Sequence, residues 1–334
     1  MKESDIRNRE VFNKYLELSQ KDILTYFSVK EDFTVIQCPA CKSVNSNFSF
    51  EKIGFTYMSC NDCDTLYVSP RPSIQQYDFF YRDSPSTSFW VNEFFKPVAE
   101  ARREKIFRPR AEFISDYFKD SRNLILGDIG AGFGIFLEEL KKIKREFELI
   151  AIEPSHEMGE ICVSKGLQLI PKLIEDVYNH DGYFDVLVAF ELFEHLQNPE
   201  EFVKKCHTLL KPGGILIFTT LNGHGFDIQV LWDKSNSISP PHHINFFNPN
   251  SASILLKNNG FEIMEASTPG KLDWDIVESG ILNGDKMPER IWKTISKHVN
   301  SDSKSNLQKW ITESNMSSHM RIIAKKSNQI IQKK

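Results

Sequence analysis

The sequence predicts an α/β fold: a mostly parallel sheet with helices on its faces, preceded by a helical segment and a small four-cysteine ribbon. Three observations carry that prediction. Residues 185–190 form a continuous apolar run of the kind found in strands buried on both faces of a parallel sheet, and residues 215–220 follow as another strand after a helix. A glycine turn, Gly130-Ala131-Gly132-Phe133-Gly134, joins the strand at 124–126 to a helix with an apolar face, which is where such sheets hold ligands. Upstream, Cys38-Pro39-Ala40-Cys41 and Cys60-Asn61-Asp62-Cys63 stand 18 residues apart, the spacing of a metal ribbon.

The elements follow in chain order. Residues 1–32 read as helical, with Val11, Tyr15 and Leu18 at helical spacing, and the ribbon occupies residues 33–72. Its Cys38, Cys41, Cys60 and Cys63 supply four thiolates for a structural zinc ion, since four protein ligands leave no open position for chemistry. The main domain spans residues 73–334. Within it, 81–88 read as a linker and about 92–119 as one long helix, whose Arg102, Arg103 and Lys105 are read as solvated charge, with contact to a cofactor or substrate carboxylate as the alternative. Pro199, with Glu200 and Glu201 behind it, starts a crossover helix that Lys211-Pro212-Gly213-Gly214 ends.

Composition narrows the function classes. The chain has 41 basic and 45 acidic residues, a net charge of -4, which argues against a nucleic-acid partner. In the ribbon, Lys42, Lys52 and Arg71 are offset by Glu51, Asp62 and Asp64. Lys325, Lys326, Lys333 and Lys334 read as a small solvated tail. Residues 1–7 hold no apolar signal core, no apolar run reaches membrane-spanning length, and there are six cysteines, so a reduced, cytoplasmic location is expected.

The glycine turn narrows the cofactor. A dinucleotide fold places its third glycine five residues after its first, whereas here the spacing is Gly130, Gly132, Gly134. Asp128 precedes the turn, where a carboxylate repels a pyrophosphate but suits a cationic amino-acid moiety. Glu153, 19 positions after Gly134 and followed by Pro154, is placed to accept ribose hydroxyls. The pattern favours S-adenosylmethionine (SAM) over NAD.

From about residue 95 onward the chain resembles the class I SAM-dependent methyltransferases. The resemblance rests on the turn, on Glu191-Leu192-Phe193-Glu194-His195 after the fourth strand of the sheet, and on Leu210-Lys211-Pro212-Gly213-Gly214 before the fifth. It implies a Rossmann-like sheet of seven strands whose last, near 320–324, is antiparallel and inserts at the sheet edge. It also implies cofactor contacts from Asp128, Gly130, Ala131, Gly132, Gly134, Glu153, Pro154, Phe190 and Glu191. Glu175 and Asp176 lie in a segment similar to the one that holds adenine in that family. Residues 270–317 exceed a hairpin and are expected to form helices covering the site.

The ribbon, the helix, the SAM domain and Pro241-His242-His243-Ile244-Asn245-Phe246-Phe247 together resemble a bacterial subgroup often encoded with surface-polysaccharide and sugar-modifying enzymes. What this implies is O-methylation of a sugar, a nucleotide-linked sugar or another small polar acceptor. Histidine is the natural base near neutral pH. His243 and His242 lead as candidates, then His195, with His224 in reserve. Phe190, Phe226, Trp232, Phe246 and Phe247 form a candidate stacking wall for the acceptor. Three alternatives stay open: C-methylation of a keto-sugar, RNA methylation using the ribbon, and an inactive SAM-binding scaffold.

Overall fold

The computed structural model describes residues 9–282 and 289–327; residues 1–7, Lys333 and Lys334 lie outside the described set. The strands, numbered along the chain, are β1 Ser46–Lys52, β2 Phe55–Cys60, β3 Leu66–Val68, β4 Ile125–Ile129, β5 Glu148–Ile152, β6 Gln168–Ile170, β7 Phe184–Phe190, β8 Leu210–Leu221, β9 Asn245–Phe246, β10 Phe261–Ser267 and β11 His319–Lys326. Two compact units result. One draws on residues 102–220, 249–267 and 321 onward, the other on residues up to 101, 221–248 and 268–320. This division cuts across the expected boundaries of 1–32, 33–72 and 73–334.

The first unit carries the seven-stranded sheet, in the order β10-β11-β8-β7-β4-β5-β6. β4 runs parallel to β5 and β7, and β7 parallel to β8. The last strand is antiparallel to β10, as expected, but it lies between β8 and β10 instead of at the edge. Burial explains the correction: Ile322, Ile323 and Ala324 are fully buried, and an edge strand would leave part of that run in water. Lys325 and Lys326 belong to this strand and are no tail; Lys326 Nζ donates to the Leu210 carbonyl at 2.8 Å.

Strand residues Leu126, Val186, Val188 and Ile217 build the core with Phe136, Leu137 and Leu140 of the helix Ile135–Ile143. Gly127 is a packing glycine: a Cβ there would fall 2.8 Å from both Leu187 Cδ2 and Phe184 Cε1. The single helix expected over 92–119 is instead a succession, with π-wound stretches Trp90–Phe95 and Arg103–Phe107 beside α-helical Lys96–Arg102 and Arg108–Tyr117. Nor is Arg103 solvated. It donates to Glu139 at 2.8 Å and Glu138 at 3.0 Å, and Glu139 also receives Arg108 and Lys142.

The second unit holds the four-stranded antiparallel sheet β1-β2-β3-β9. β9 comes from the Pro-His-His segment, with Leu66 opposite Phe246 and Tyr67 opposite Asn245. The ribbon is therefore not a free-standing module. Phe27, Phe55, Tyr57 and Phe80 share one core with Ile228, Ile244 and Phe246. Residues 81–88 are not a linker either. Ser84 ends the helix Ile74–Asp83 and caps the helix Pro85–Phe89, so Ser84-Pro85 marks a helix start instead of a loop. Asp22 of the helix Arg9–Tyr26 fixes that start by accepting the Ser86 amide at 2.8 Å.

The segment expected to be helical over 270–317 forms Asp273–Leu282, Arg290–His298 and Ser301–Glu313. Phe226, Leu231, Trp274, Val277 and Ile311 make their common core. The proposed aromatic wall largely dissolves here. Phe226, Phe246 and Phe247 are buried core residues, because that apolar area is worth more inside than facing a polar acceptor.

Glu139 gives the first unit a measurable acid sensitivity. Burial raises its pKa, but hydrogen bonds from Lys142, Arg103 and Arg108 outweigh burial and bring it down to about 2, from the ordinary value of 4.5. A carboxylate depressed on folding stabilises the folded state above its unfolded pKa, and that contribution disappears as pH falls through 4.5 toward 2. Glu139→Gln should therefore melt at a lower temperature than the wild type at pH 7, and the gap should close on acidification through this window. Calorimetric melting across pH tests this; a gap independent of pH would contradict it.

Candidate active site and four-cysteine centre

The glycine turn closes the carboxyl end of β4. Gly130, Gly132 and Gly134 all adopt left-handed φ values, of 69, 54 and 66°. At Gly134 the constraint is double, since a Cβ would also meet Leu167 Cδ1 at 2.7 Å and Cys162 Sγ at 3.0 Å. At Gly132 a Cβ would meet nothing within 4 Å, so this part of the turn faces open space that a ligand can enter.

Glu153, one residue beyond β5, is buried and clamps the turn. Its Oε2 accepts the Gly132 amide at 2.8 Å and its Oε1 the Ser155 amide at 2.9 Å. Burial raises its pKa against the pull of those two amides. Asp128 is 3% exposed, and no hydrogen bond among the described residues reaches its carboxylate. Burial pushes that carboxyl well above the ordinary range, while Arg110 opposes the shift. An acid so placed has a nearby cation in Arg110 but no hydrogen-bonded one, a place that a ligand ammonium can take. Glu175 sits half-buried in the turn Ile174–Asp176, its pKa raised by burial, whereas Asp176 and Pro154 are exposed.

Phe190 and Glu191 finish β7 and lead to a residue that the sequence did not flag. Arg110 Nη2 donates to Glu191 Oε1 at 2.7 Å and to Thr219 Oγ1 at 3.4 Å, and its guanidinium carbon lies 4.7 Å from the Phe190 ring centroid. Glu191 itself has a left-handed φ of 54°, uncommon for a side-chain-bearing residue. Arg110 stood in a run with Arg102, Arg103, Lys105 and Arg108.

The histidines separate by environment. His242 packs among aromatic rings, with centroids 5.0 Å from Phe80, 5.6 Å from Tyr81 and 6.1 Å from Tyr15. Burial, helped by His243, lowers its pKa to about 3. Such a ring stays neutral and is a poor proton acceptor near pH 7. His243 Nδ1 lies 2.6 Å from the Ser237 carbonyl. A carbonyl can only accept, so that bond places a proton on Nδ1. The Ser237 hydroxyl donates to Asp227 at 2.6 Å, and Ser235 to the same oxygen at 2.7 Å, which fixes the loop holding that carbonyl.

The ribbon braces this loop from the other side. Tyr57 donates its hydroxyl to the His243 carbonyl at 3.0 Å, Tyr77 to the Pro241 carbonyl at 3.0 Å, and buried Arg71 to Asn245 Oδ1 and the Val68 carbonyl. Neither Asp227 nor Tyr57 carried a sequence signal; their roles depend on packing between distant segments. His195 ends the turn Phe193–His195 in the first unit, beside buried Glu194, which accepts the Thr220 hydroxyl at 2.7 Å. His224 stands on the loop after β8, its amide held by Asn222 Oδ1.

Cys38, Cys41, Cys60 and Cys63 converge, with all four sulfurs within 4.8 Å of one another. Cys38–Cys63 and Cys41–Cys60 are each 3.5 Å apart. A tetrahedral zinc with bonds of about 2.3 Å needs sulfurs about 3.8 Å apart, so the set fits. The two knuckles match in their backbone. Lys42 and Asp64 are both left-handed and return their amides to the carbonyls of Cys38 and Cys60, each at 3.0 Å. Burial pushes the Cys41 thiol up to about 11, and the neighbouring Cys38 with burial raises Cys63 further, so these two thiols ionise readily only beside a cation.

A mostly parallel seven-stranded sheet in this order, a glycine turn at its carboxyl edge, and the acids Asp128 and Glu153 at the ends of two adjacent strands mark a SAM-dependent methyltransferase. The chain belongs to the methyltransferase-domain family, whose model matches residues 98–266. The four-cysteine centre precedes that matched region. Among curated proteins, it is similar to the ubiquinone biosynthesis O-methyltransferase of Colwellia psychrerythraea, 31% identical over 179 residues, or 47% of this chain and 73% of that protein. It is also similar to the enzyme of the same name from Xanthomonas axonopodis pv. citri, 26% identical over 171 residues, covering 47% and 70%. Among solved structures, the 1,6-didemethyltoxoflavin-N1-methyltransferase of Burkholderia thailandensis, with bound 1,6-didemethyltoxoflavin and S-adenosylhomocysteine, matches with a TM-score of 0.49 and 11% identity, covering 84% of this chain and 100% of that one. No helix among the described residues is long and apolar enough to cross a membrane.

Proposed function

We propose that this methyltransferase acts on a hydroxyl oxygen of a small polar acceptor, a sugar or nucleotide-linked sugar, in the cytoplasm during surface-glycan synthesis. SAM sits on the glycine turn, with its methionine amine at Asp128 and its ribose at Glu153, and Glu175 lies beside the adenine. The acceptor oxygen displaces the sulfonium, so an O–CH3 bond forms as the S–CH3 bond breaks. S-adenosylhomocysteine leaves, and His243 Nε2 takes the hydroxyl proton. Alignment supplies much of the rate and the base about 10²- to 10⁴-fold.

One observation carries the reading above the others: the 2.6 Å bond between His243 Nδ1 and a carbonyl on a braced loop, which holds the imidazole in one orientation. The two relatives named as O-methyltransferases support transfer to oxygen. The acceptor class rests on the resemblance of the ribbon and the Pro-His-His segment. RNA methylation has less support, because Arg71 is buried within the ribbon and Lys52 is bonded to the Ser235 carbonyl. His242 is assigned a bracing role within its aromatic cluster, and His195 one in the turn after β7.

The deciding experiment is incubation of the protein with labelled SAM and a panel of nucleotide sugars, free sugars, phenols and ribosomal RNA. Label in a sugar ether supports the proposal; label in a phenol or RNA alone rejects the acceptor class. With a working acceptor, His243→Ala should reduce turnover by about two or more orders of magnitude while SAM binds as before. His242→Ala should cost far less at a temperature where it is folded. If both variants keep near wild-type turnover, the assignment of the base is wrong.

Cys38, Cys41, Cys60 and Cys63 hold one structural zinc ion in this proposal. Metal analysis of the purified protein should give close to one equivalent, and Cys60→Ser should lower both the zinc content and the melting temperature. A wild-type protein that is folded and holds under a few tenths of an equivalent would refute it.

A further inference from the structure

We propose that Trp232 is the stacking platform for the acceptor's sugar ring, its accessible indole lying against the C–H face of the sugar and its N–H donating to a sugar hydroxyl. The inference deepens the reading of the acceptor as a sugar and rests on it. Trp232 follows the helix Phe226–Leu231 with a φ of 51° and a ψ of -127°, a combination open to glycine and costly for a residue with a Cβ. Such strain persists only where the surrounding structure enforces it, and it clusters at ligand clamps. Here the enforcement is visible. The Trp232 amide donates to the Ile228 carbonyl, and its own carbonyl accepts the Ser235 amide at 2.9 Å. Ser235 is fixed in turn, its hydroxyl on Asp227 at 2.7 Å and its carbonyl receiving Lys52 Nζ at 2.8 Å. Five residues after Trp232 comes Ser237, whose carbonyl holds His243 Nδ1. One pinned segment therefore carries both the tryptophan and the histidine assigned as base.

Core packing does not account for this side chain. Trp232 is 37% exposed, whereas Trp274 of the same unit is 5% exposed. Phe50 meets the Trp232 ring at 76° with centroids 5.1 Å apart, which fixes how the indole is turned. Among the described residues, no hydrogen bond uses the indole N–H. Phe226, Phe246 and Phe247, the other aromatic residues expected to form a wall in this unit, are buried, so Trp232 is the member of that set whose ring a ligand can reach. A pyranose matches such a group on both counts. Its C–H face suits the electron-rich face of an indole, and its hydroxyls accept from the N–H.

The test is methyl transfer by the full chain from labelled SAM to glucose, galactose and mannose, each supplied free, as the 1-phosphate and as the nucleotide sugar. Wild type, Trp232→Phe and Trp232→Gly are compared. Glycine relieves the backbone and removes the ring, whereas phenylalanine keeps the strain and a smaller ring. Trp232→Gly should therefore melt no lower than Trp232→Phe, yet raise the acceptor KM by about tenfold or more, with Trp232→Phe between it and the wild type. Turnover at saturation, SAM affinity by calorimetry, and inhibition by free UDP and GDP should change little in either variant. A tryptophan that only packs would put melting temperature and KM in the same order, which overturns the proposal, as does an unchanged KM in both variants. Nucleotide inhibition that weakens in parallel with KM would place the base, not the sugar, on Trp232 and overturns it as well. If no sugar takes label while SAM binds, the acceptor reading itself falls and this inference falls with it.

Discussion

The bridge made by one buried carboxylate organises the glycine turn at the carboxyl edge of the seven-stranded sheet. Glu153 ends the strand next to the glycine turn and binds the amides of Gly132 and Ser155 at once. A turn of three left-handed glycines is entropically loose by itself. Tying its centre to β5 fixes where its open side faces, and Gly134 can then start its helix directly above Leu167 and Cys162. The sheet makes this possible. Parallel pairing of β4 with β5 and β7 brings Asp128, Glu153 and Glu191 to neighbouring strand ends although 63 positions separate the first from the last.

The second unit obeys a similar logic with different chemistry. Its small sheet is completed by β9, a strand taken from the Pro-His-His segment, so the four-cysteine ribbon and the histidine loop share one core. Tyr57, Tyr77 and Arg71 hold the loop from the ribbon side, and Asp227 holds it through Ser235 and Ser237. Fixing both sides is what gives His243 a defined tautomer. The ribbon thus acts on the loop through hydrogen bonds at a distance from its sulfurs, and its arginine is consumed in that task.

What could be read from the sequence was whatever is encoded locally. The glycine turn, Asp128, Glu153 and the cysteine knuckles each need particular residue types at short spacing, and the structure brings the four cysteine sulfurs together. The strand order was available through the resemblance, yet the slot of β11 was not, although the apolar run Ile322-Ile323-Ala324 already pointed away from an edge. Ser84-Pro85 was misread because a helix cap and a turn use the same residues. Arg110, Asp227 and Tyr57 were invisible for a deeper reason. Each is an ordinary residue in its own segment and acquires its role only from partners 81, 10 and 186 positions away.

The central claim is that the glycine turn and its carboxylate clamp form the SAM site. Titration calorimetry of SAM into wild-type protein and Glu153→Ala tests it most directly. The account predicts one site in the wild type and affinity reduced by about 10- to 100-fold in the variant, the cost of losing charged hydrogen bonds to the ribose together with the turn's anchor. Equal affinity in a folded Glu153→Ala protein would contradict it.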